Sequence, residues 1–361
     1  MEEEKRNNHK EFKIFIIIFL IASVFLLKEE NQNKLKEIFR SMNNKEKTLT
    51  VVDFFKYEEE VLDLNVYDNT IALWKNNKIS FKEFDGTNII EKEFNFEDPF
   101  IHYGDNNIYV MDKSTGDIYF LDKKGETLNR EQLNKKIFNL KESNKNLIYH
   151  IKSPGQETIN VLDKDGIQIG NCSYEDKNIL TYEANDKGSK NAIAVLDVNE
   201  GIVKSHIDFY GKNNEKVHEL DILGEIIVFL NFTSKDEVVA LTDNGLYFIK
   251  DGNILWKKNF DLMKDIYMGN DKIYVLYSNY LETIYFDGKI ESKVGFGEDY
   301  KKILPFQKNI LLYGNNNLTI VEKDKQILKH EENILGVYTS KDNIVVLTPE
   351  EIKTYKMDNK Q

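Results

Sequence analysis

The side chains best able to do chemistry are few and scattered. The chain carries six histidines and one cysteine. His9, His102, His150, His206, His218 and His330 form no His-x-x-x-His or His-Glu-x-x-His pair, the spacings that place two ligands on one helix face for zinc. The lone Cys172 can form no internal disulfide and cannot complete a zinc site that needs two thiolates. It follows Gly170-Asn171, with no lysine or histidine beside it to activate the thiol, so it reads as a small buried apolar group. Asp163-Lys-Asp165-Gly166 resembles the start of a calcium loop but lacks the spaced acidic ligands and closing Glu, so it reads as a turn. Gly-x-Ser-x-Gly, P-loop and dinucleotide-binding glycine patterns are absent. No catalytic, cofactor-binding or metal-binding residue is therefore assigned, and no cofactor is expected. Ligand-binding residues cannot be picked from the sequence.

The composition says what kind of element must carry any site. The 49 Lys and Arg are outnumbered by 61 Asp and Glu, giving a net charge of −12. That balance argues against nucleic acid, whose phosphates demand a basic surplus. Phe and Tyr number 22 and 19, and Ile and Val are plentiful, a bias towards strands.

One segment departs from this. Ile14 to Leu27 is a continuous apolar run with Phe12 and Lys13 before it and Lys28 after it. At the short end for a bilayer span, it is helped by the long stems of the flanking lysines, which snorkel to the interfaces. No small-x-small cleavage site follows the run, so residues 12–28 read as an uncleaved signal anchor. Lys and Arg are balanced on its two sides. Exporting a short tail with Lys5, Arg6, Lys10 and Lys13 is nevertheless unfavourable, so the tail 1–11 is expected in the cytoplasm and the remainder outside it. Leu35, Ile38, Phe39 and Met42 then form one apolar stripe at helical spacing, making 29–47 a juxtamembrane amphipathic helix and linker.

From Thr48 the pattern becomes short β-rich runs broken by Asp, Asn, Gly and Lys turns. The first apolar residue of each copy is Ile71, Ile108, Ile148, Ile193, Val238, Ile273, Ile310 and Ile344, at a period of about 40. A unit of this length with about four strands is the signature of an all-β propeller, over residues 48–357 with a short tail 358–361. Eight copies favour eight blades, and seven longer ones also fit. The last copy lacks an outer strand. Leu49 to Phe55, which precedes the first copy without a partner, is the strand expected to complete it and close the ring.

The segment Asp251-Gly252-Asn253-Ile254-Leu255-Trp256 resembles the blade motif of quinoprotein-like (PQQ-type) propellers, in which a strand ends, turns at Asp-Gly and docks a Trp. Other copies keep the turn without the Trp, at Asp287-Gly288, Asp122 to Gly125 and Asp163 to Gly166. The resemblance implies the fold, and it implies that Trp256 packs between blades. Quinoprotein dehydrogenases would also use neighbouring cysteines and a Trp in most blades, whereas this chain has Cys172 and two Trp, Trp74 and Trp256. The arrangement also resembles single-span, membrane-anchored propeller proteins of Gram-positive bacteria, which implies a cell-envelope location. The expectation is a non-catalytic binding or scaffold module of the cell envelope. It would be held in the lipid bilayer by residues 12–28 and would recognise a protein or a cell-wall glycan. An envelope sensor or assembly factor relaying through the juxtamembrane helix is the first alternative, and a quinoprotein-like enzyme the second.

Overall fold

The computed structural model describes residues 47–359 apart from 58–60, 144–145, 164, 200–201, 213, 322–324 and 330–332. The expected tail 1–11, the anchor 12–28 and the linker helix up to residue 46 lie outside the described residues. Among the described residues no helix is long and apolar enough to cross a membrane.

Thirty-two strands form eight separate four-stranded antiparallel sheets. These are the eight blades, at 63–93, 99–132, 137–175, 178–223, 227–259, 263–295, 300–329, and 336–359 together with 47–56. The strands of each blade are lettered A to D from the axis outward. In the eighth blade, strands A to C come from the end of the chain and D is Lys47–Lys56. The chain thus closes its ring with the strand that the sequence had left unpartnered. Closure is reinforced where Lys341 pairs with Asp68 at 2.7 Å and Ser340 Oγ donates to the Asp68 carbonyl at 2.9 Å.

All eight repeat markers fall on strand B, and all are buried. Strand B is packed on both faces by neighbouring blades, so its residues are near-continuously buried: Ile108–Asp112, Val238–Thr242 and Asn343–Leu347 are buried throughout. Outer D strands alternate instead, as in Gln168–Glu175, because only one face is covered. The core is therefore a series of layers between successive blades. Val345, Leu347 and Ile352 of the last blade pack on Leu64, Val66, Ile71 and Leu73 of the first. Ala192, Ala194, Ile207 and Phe209 of the fourth meet Ile227, Leu230, Val238 and Ile249 of the fifth.

Antiparallel order has a geometric consequence. The AB and CD turns of every blade lie on one face of the ring, and the BC turns and DA linkers lie on the other.

Candidate binding face

The AB/CD face is occupied by contacts that hold the ring together. Five CD turns close in the same way, the amide of the first residue donating to the carbonyl four residues on while the fourth amide returns the bond. Examples are Asp122 to Glu126, Asp163 to Ile167 and Gly211 to Glu215. The fourth residue adopts a positive φ and lies against the preceding blade. A Cβ on Gly125 would sit 2.5 Å from the Phe81 ring and 2.9 Å from Ile90; one on Gly288 would meet Trp256 at 3.2 Å. In the shorter turn of blade 5, Gly252 presses on His218 in the same manner. Ile90, His218 and Trp256 occupy one register position, the residue after the bulge in strand D. Trp256 stacks on Phe248 with ring centroids 5.5 Å apart, and its Nε1 donates to the Phe286 carbonyl of the next blade at 2.9 Å. It is thus packed between blades. In the third blade Gly170 holds that register position, and the following turn carries Asn214 in place of glycine. Asn214 Oδ1 accepts from the Asn171 amide at 3.2 Å and from the Cys172 thiol at 3.4 Å. Cys172 is buried, and burial raises its thiol pKa to about 11, so it is an inert member of this seam.

The AB turns add a second set of ties. Asn146 Nδ2 donates to the Asn185 carbonyl at 3.0 Å, and Asn185 Nδ2 donates to Asp236 at 2.8 Å, linking blades 3, 4 and 5. Beside Asp236 a cleft of about 210 Å3 opens between blades 4 and 5. Phe209, Phe232, Val238 and Ile249 line it, with Lys190 and His218 among its polar neighbours. It is smaller than the several hundred Å3 usual for a ligand pocket.

The histidines and carboxylates that could have formed a catalytic centre are bonded inside and between sheets. His150 Nε2 meets Glu157 at 3.0 Å, and Glu157 also accepts from the Ile179 amide at 2.9 Å and pairs with Lys152. Burial lowers the His150 pKa. Burial alone would raise that of Glu157, but Lys152, the Ile179 amide and His150 outweigh it and lower it. In blade 4, Asp208 accepts from Tyr174 at 2.9 Å and pairs with Lys216 at 2.7 Å, with His206 Nε2 3.8 Å away. His102 Nε2 accepts from the Glu142 amide at 3.0 Å, and burial, aided by Lys141, lowers its pKa to about 4. His218 lies under Gly252, while His9 and His330 are outside the described residues. Near the axis, Lys141 of blade 3 bridges to Glu183 of blade 4 at 2.7 Å, and Lys302 of blade 7 to Asp265 of blade 6 at 3.4 Å. These pairs join neighbouring blades. Asp163 serves as the turn residue that the sequence suggested, its Oδ1 accepting from the amides of Asp165 and Ile167 at 2.9 Å each. Among the described residues no three metal-binding side chains cluster.

The BC/DA face is different. Leu62, Phe138, Val198, Leu223, Ile226, Val228, Leu262, Tyr280 and Leu335 are all exposed there, with Leu262 reaching 78% and Leu223 71%. Of these, Leu62, Ile226, Leu262 and Leu335 sit on linkers and the other five on strand ends; the AB/CD side exposes Ile167 on a turn, and Ile89, Leu128, Val217, Ile254 and Ile290 at the ends of outer D strands. The remaining exposed apolar residues run along D strands at the rim. Sequence reasoning missed these positions because their exposure depends on which side of a blade each linker falls.

An eight-bladed β-propeller with packed inter-blade seams is the class that this geometry defines. The chain belongs to a family of unknown function, DUF5711, whose model matches residues 39–357. No curated protein matches. Among solved structures, BamB from Moraxella catarrhalis aligns at 11% identity and a TM-score of 0.57, covering 85% of this chain and 99% of that one. Sqt1 of Saccharomyces cerevisiae aligns at 10% identity and a TM-score of 0.60, covering 86% and 99%. The C-terminal WD40 domain of Sif2 aligns at 14% and 0.59, covering 86% and 97%. At such identities the likeness is one of fold.

Proposed function

We propose that this protein is a non-catalytic, membrane-anchored scaffold of the cell envelope that recognises another protein through the BC/DA face of its propeller. The observation that carries the reading is the set of exposed apolar side chains on the linkers of that face, Leu62, Ile226, Leu262 and Leu335, against Ile167 on the AB/CD turns, joined by Phe138, Val198, Leu223, Val228 and Tyr280 at the adjoining strand ends. Covering such side chains is the main favourable term in most protein association. A propeller fits a binding role because every blade contributes turns to the same surface. The bonding of His150, His206, Asp208 and Glu157 inside the sheets supports a binding protein over an enzyme. The PQQ-like reading of the repeat rests on Trp256, whose packing on Gly288 and Phe286 matches the motif's docking role.

The anchor and outward orientation rest on the apolar run at 14–27 and its basic tail. The Tyr57 amide, just past the closing strand, meets the Glu350 carbonyl beside the last BC turn. That strand therefore runs towards the BC/DA face.

A photo-crosslinking residue placed at Val228, and in a separate strain at Ile167, tests the reading in the native cell. The Val228 probe is expected to give a discrete protein adduct that the Ile167 probe does not. Equal labelling from the two faces, or none from Val228, would overturn the proposal. In the same cells a Lys124→Cys variant, on an exposed CD turn away from the BC/DA face, is expected to react with a membrane-impermeant maleimide, with little background from buried Cys172. Protection of that cysteine in intact cells would overturn the outward orientation.

A further inference from the structure

One corner of the BC/DA face is chemically distinct from its apolar arc. At the top of blades 2 and 3 the Lys113 Nζ lies 5.7 Å from the centroid of Phe100 and 5.6 Å from that of Phe138. Lys152 Nζ approaches Phe138 from the other side at 5.5 Å. Phe138 is half exposed, and Lys135 and Lys136 are exposed in the linker leading to it. Lys113, Lys135 and Lys136 form no ion pair with a described residue, whereas the neighbouring cations are engaged: Arg130 with Asp117, Lys152 with Glu157 and Lys177 with Asp197. The Ile137 amide donates to the Lys113 carbonyl at 2.9 Å, which brings the linker carrying Lys135 and Lys136 against the turn carrying Lys113.

We infer that this corner docks an acidic, apolar-containing segment of the partner protein, its carboxylates meeting Lys113, Lys135 and Lys136 and an apolar side chain covering Phe138. The inference rests on the protein-binding reading of the same face and gives that partner its chemistry. Cations held over aromatic rings are partly oriented before binding, so less side-chain freedom is lost when a carboxylate arrives. Complementary charge at such a site sets specificity and association rate more than total affinity. The aromatic floor favours a polypeptide over a purely anionic polymer, which has nothing to place on Phe138.

The test uses the full-length protein in detergent micelles and three probes. One is a labelled peptide alternating Glu with Leu and Phe, the second the same peptide with Gln for Glu, and the third polyglycerol phosphate. Binding of the Glu peptide is expected to weaken as salt rises through the physiological range. It should fall roughly tenfold or more in a Lys113→Glu/Lys136→Glu variant. A Phe138→Ser variant should weaken the Glu peptide while leaving its salt dependence intact. Absence of salt-dependent binding, equal binding of the Gln peptide, or no loss on charge reversal would overturn the inference. So would polyglycerol phosphate binding as tightly as the Glu peptide with no dependence on Phe138. If the peptide fails while the Val228 crosslink forms, the acidic-segment inference falls and the scaffold reading stands; if both fail, both fall. Unchanged thermal unfolding of the variants shows that the loss is local.

Discussion

The two faces of this ring use the same kinds of residue for opposite ends. On the AB/CD face, glycines and asparagines at positive φ let each blade press against the one before it, as Gly125 does on Phe81 and Asn214 on Asn171 and Cys172. Polar side chains there bond across blades, as Asn146, Asn185 and Asp236 do. On the BC/DA face Leu223 and Val228 at strand ends and Leu262 on a linker stand in solvent, while Lys113 makes no ion pair with a described residue. The BC/DA face has inter-blade ties of its own, the Ile137 amide to the Lys113 carbonyl and the Ile179 amide to Glu157, but it also holds apolar side chains in solvent. The difference yields a sharp rule: substitution of an AB/CD contact should cost folding, and substitution of an exposed BC/DA residue should cost binding.

The largest expected effect lies on the AB/CD face. Gly125→Ala places a Cβ 2.5 Å from Phe81 at a backbone φ of +89°. The left-handed backbone costs about 1–2 kcal/mol and the overpacking about 1–3 kcal/mol more. Urea unfolding should show a loss of about 2–5 kcal/mol. A midpoint within error of wild type would mean that blades 1 and 2 are not wedged together there.

Acid should loosen the same side of the comparison. The folded pKa of His102 is lowered to about 4, from the ordinary value of 6.5, by burial first and by Lys141 second, so the folded state holds it neutral. Below pH 6.5 the unfolded chain binds a proton that the folded chain does not. The stability from neutral His102 is therefore present above 6.5 and is lost as pH falls towards 4. The loss is up to about 1.4 kcal/mol per pH unit in that window. Burial lowers the pKa of His150 and His206 as well, so they act in the same direction. Denaturation followed from pH 7 to 4 should show this slope, and His102→Gln, which keeps an acceptor for the Glu142 amide without titrating, should flatten it in part. An unchanged slope in that variant would remove His102 from the account.

Much of the fold was legible, and its legibility has a physical cause. Strand B is packed on both sides in every blade, so it tolerates little besides apolar residues, and Ile71 through Ile344 mark it reliably. The missing outer strand of the last blade followed from the same repetition. Apolar and polar residues alternate in D strands such as Gln168–Glu175, but give way to continuous apolar runs where both sheet faces are covered. The docking position in strand D was legible only at Trp256. At Ile90 and His218 any side chain that reaches the next blade's turn serves, so residue type carries no signal. The basic and aromatic corner was illegible for another reason. Lys113, Phe138 and Lys152 come from three separate segments, and only the ring brings them together.

The smallest expected effect is the most discriminating. Val228→Asp and Leu262→Asp put charge on side chains that are 56% and 78% exposed, one at the start of a strand and one on a linker. Surface substitutions of this kind usually change stability by no more than about 0.5 kcal/mol each. Melting temperature and urea midpoint should therefore stay close to wild type. The same double change inserts two carboxylates into the surface assigned to the partner, where an uncompensated charge is costly to bury. An adduct formed through a photo-crosslinker at the neighbouring Ile226 should then be lost. A variant that unfolded more readily would show that these side chains support the ring, and the division between the two faces would fail. A variant as stable as wild type that kept its adduct would move the partner's footprint away from blades 5 and 6. Loss of the adduct with unchanged stability is the one combination that separates a surface left open for a partner from one that is merely uncovered.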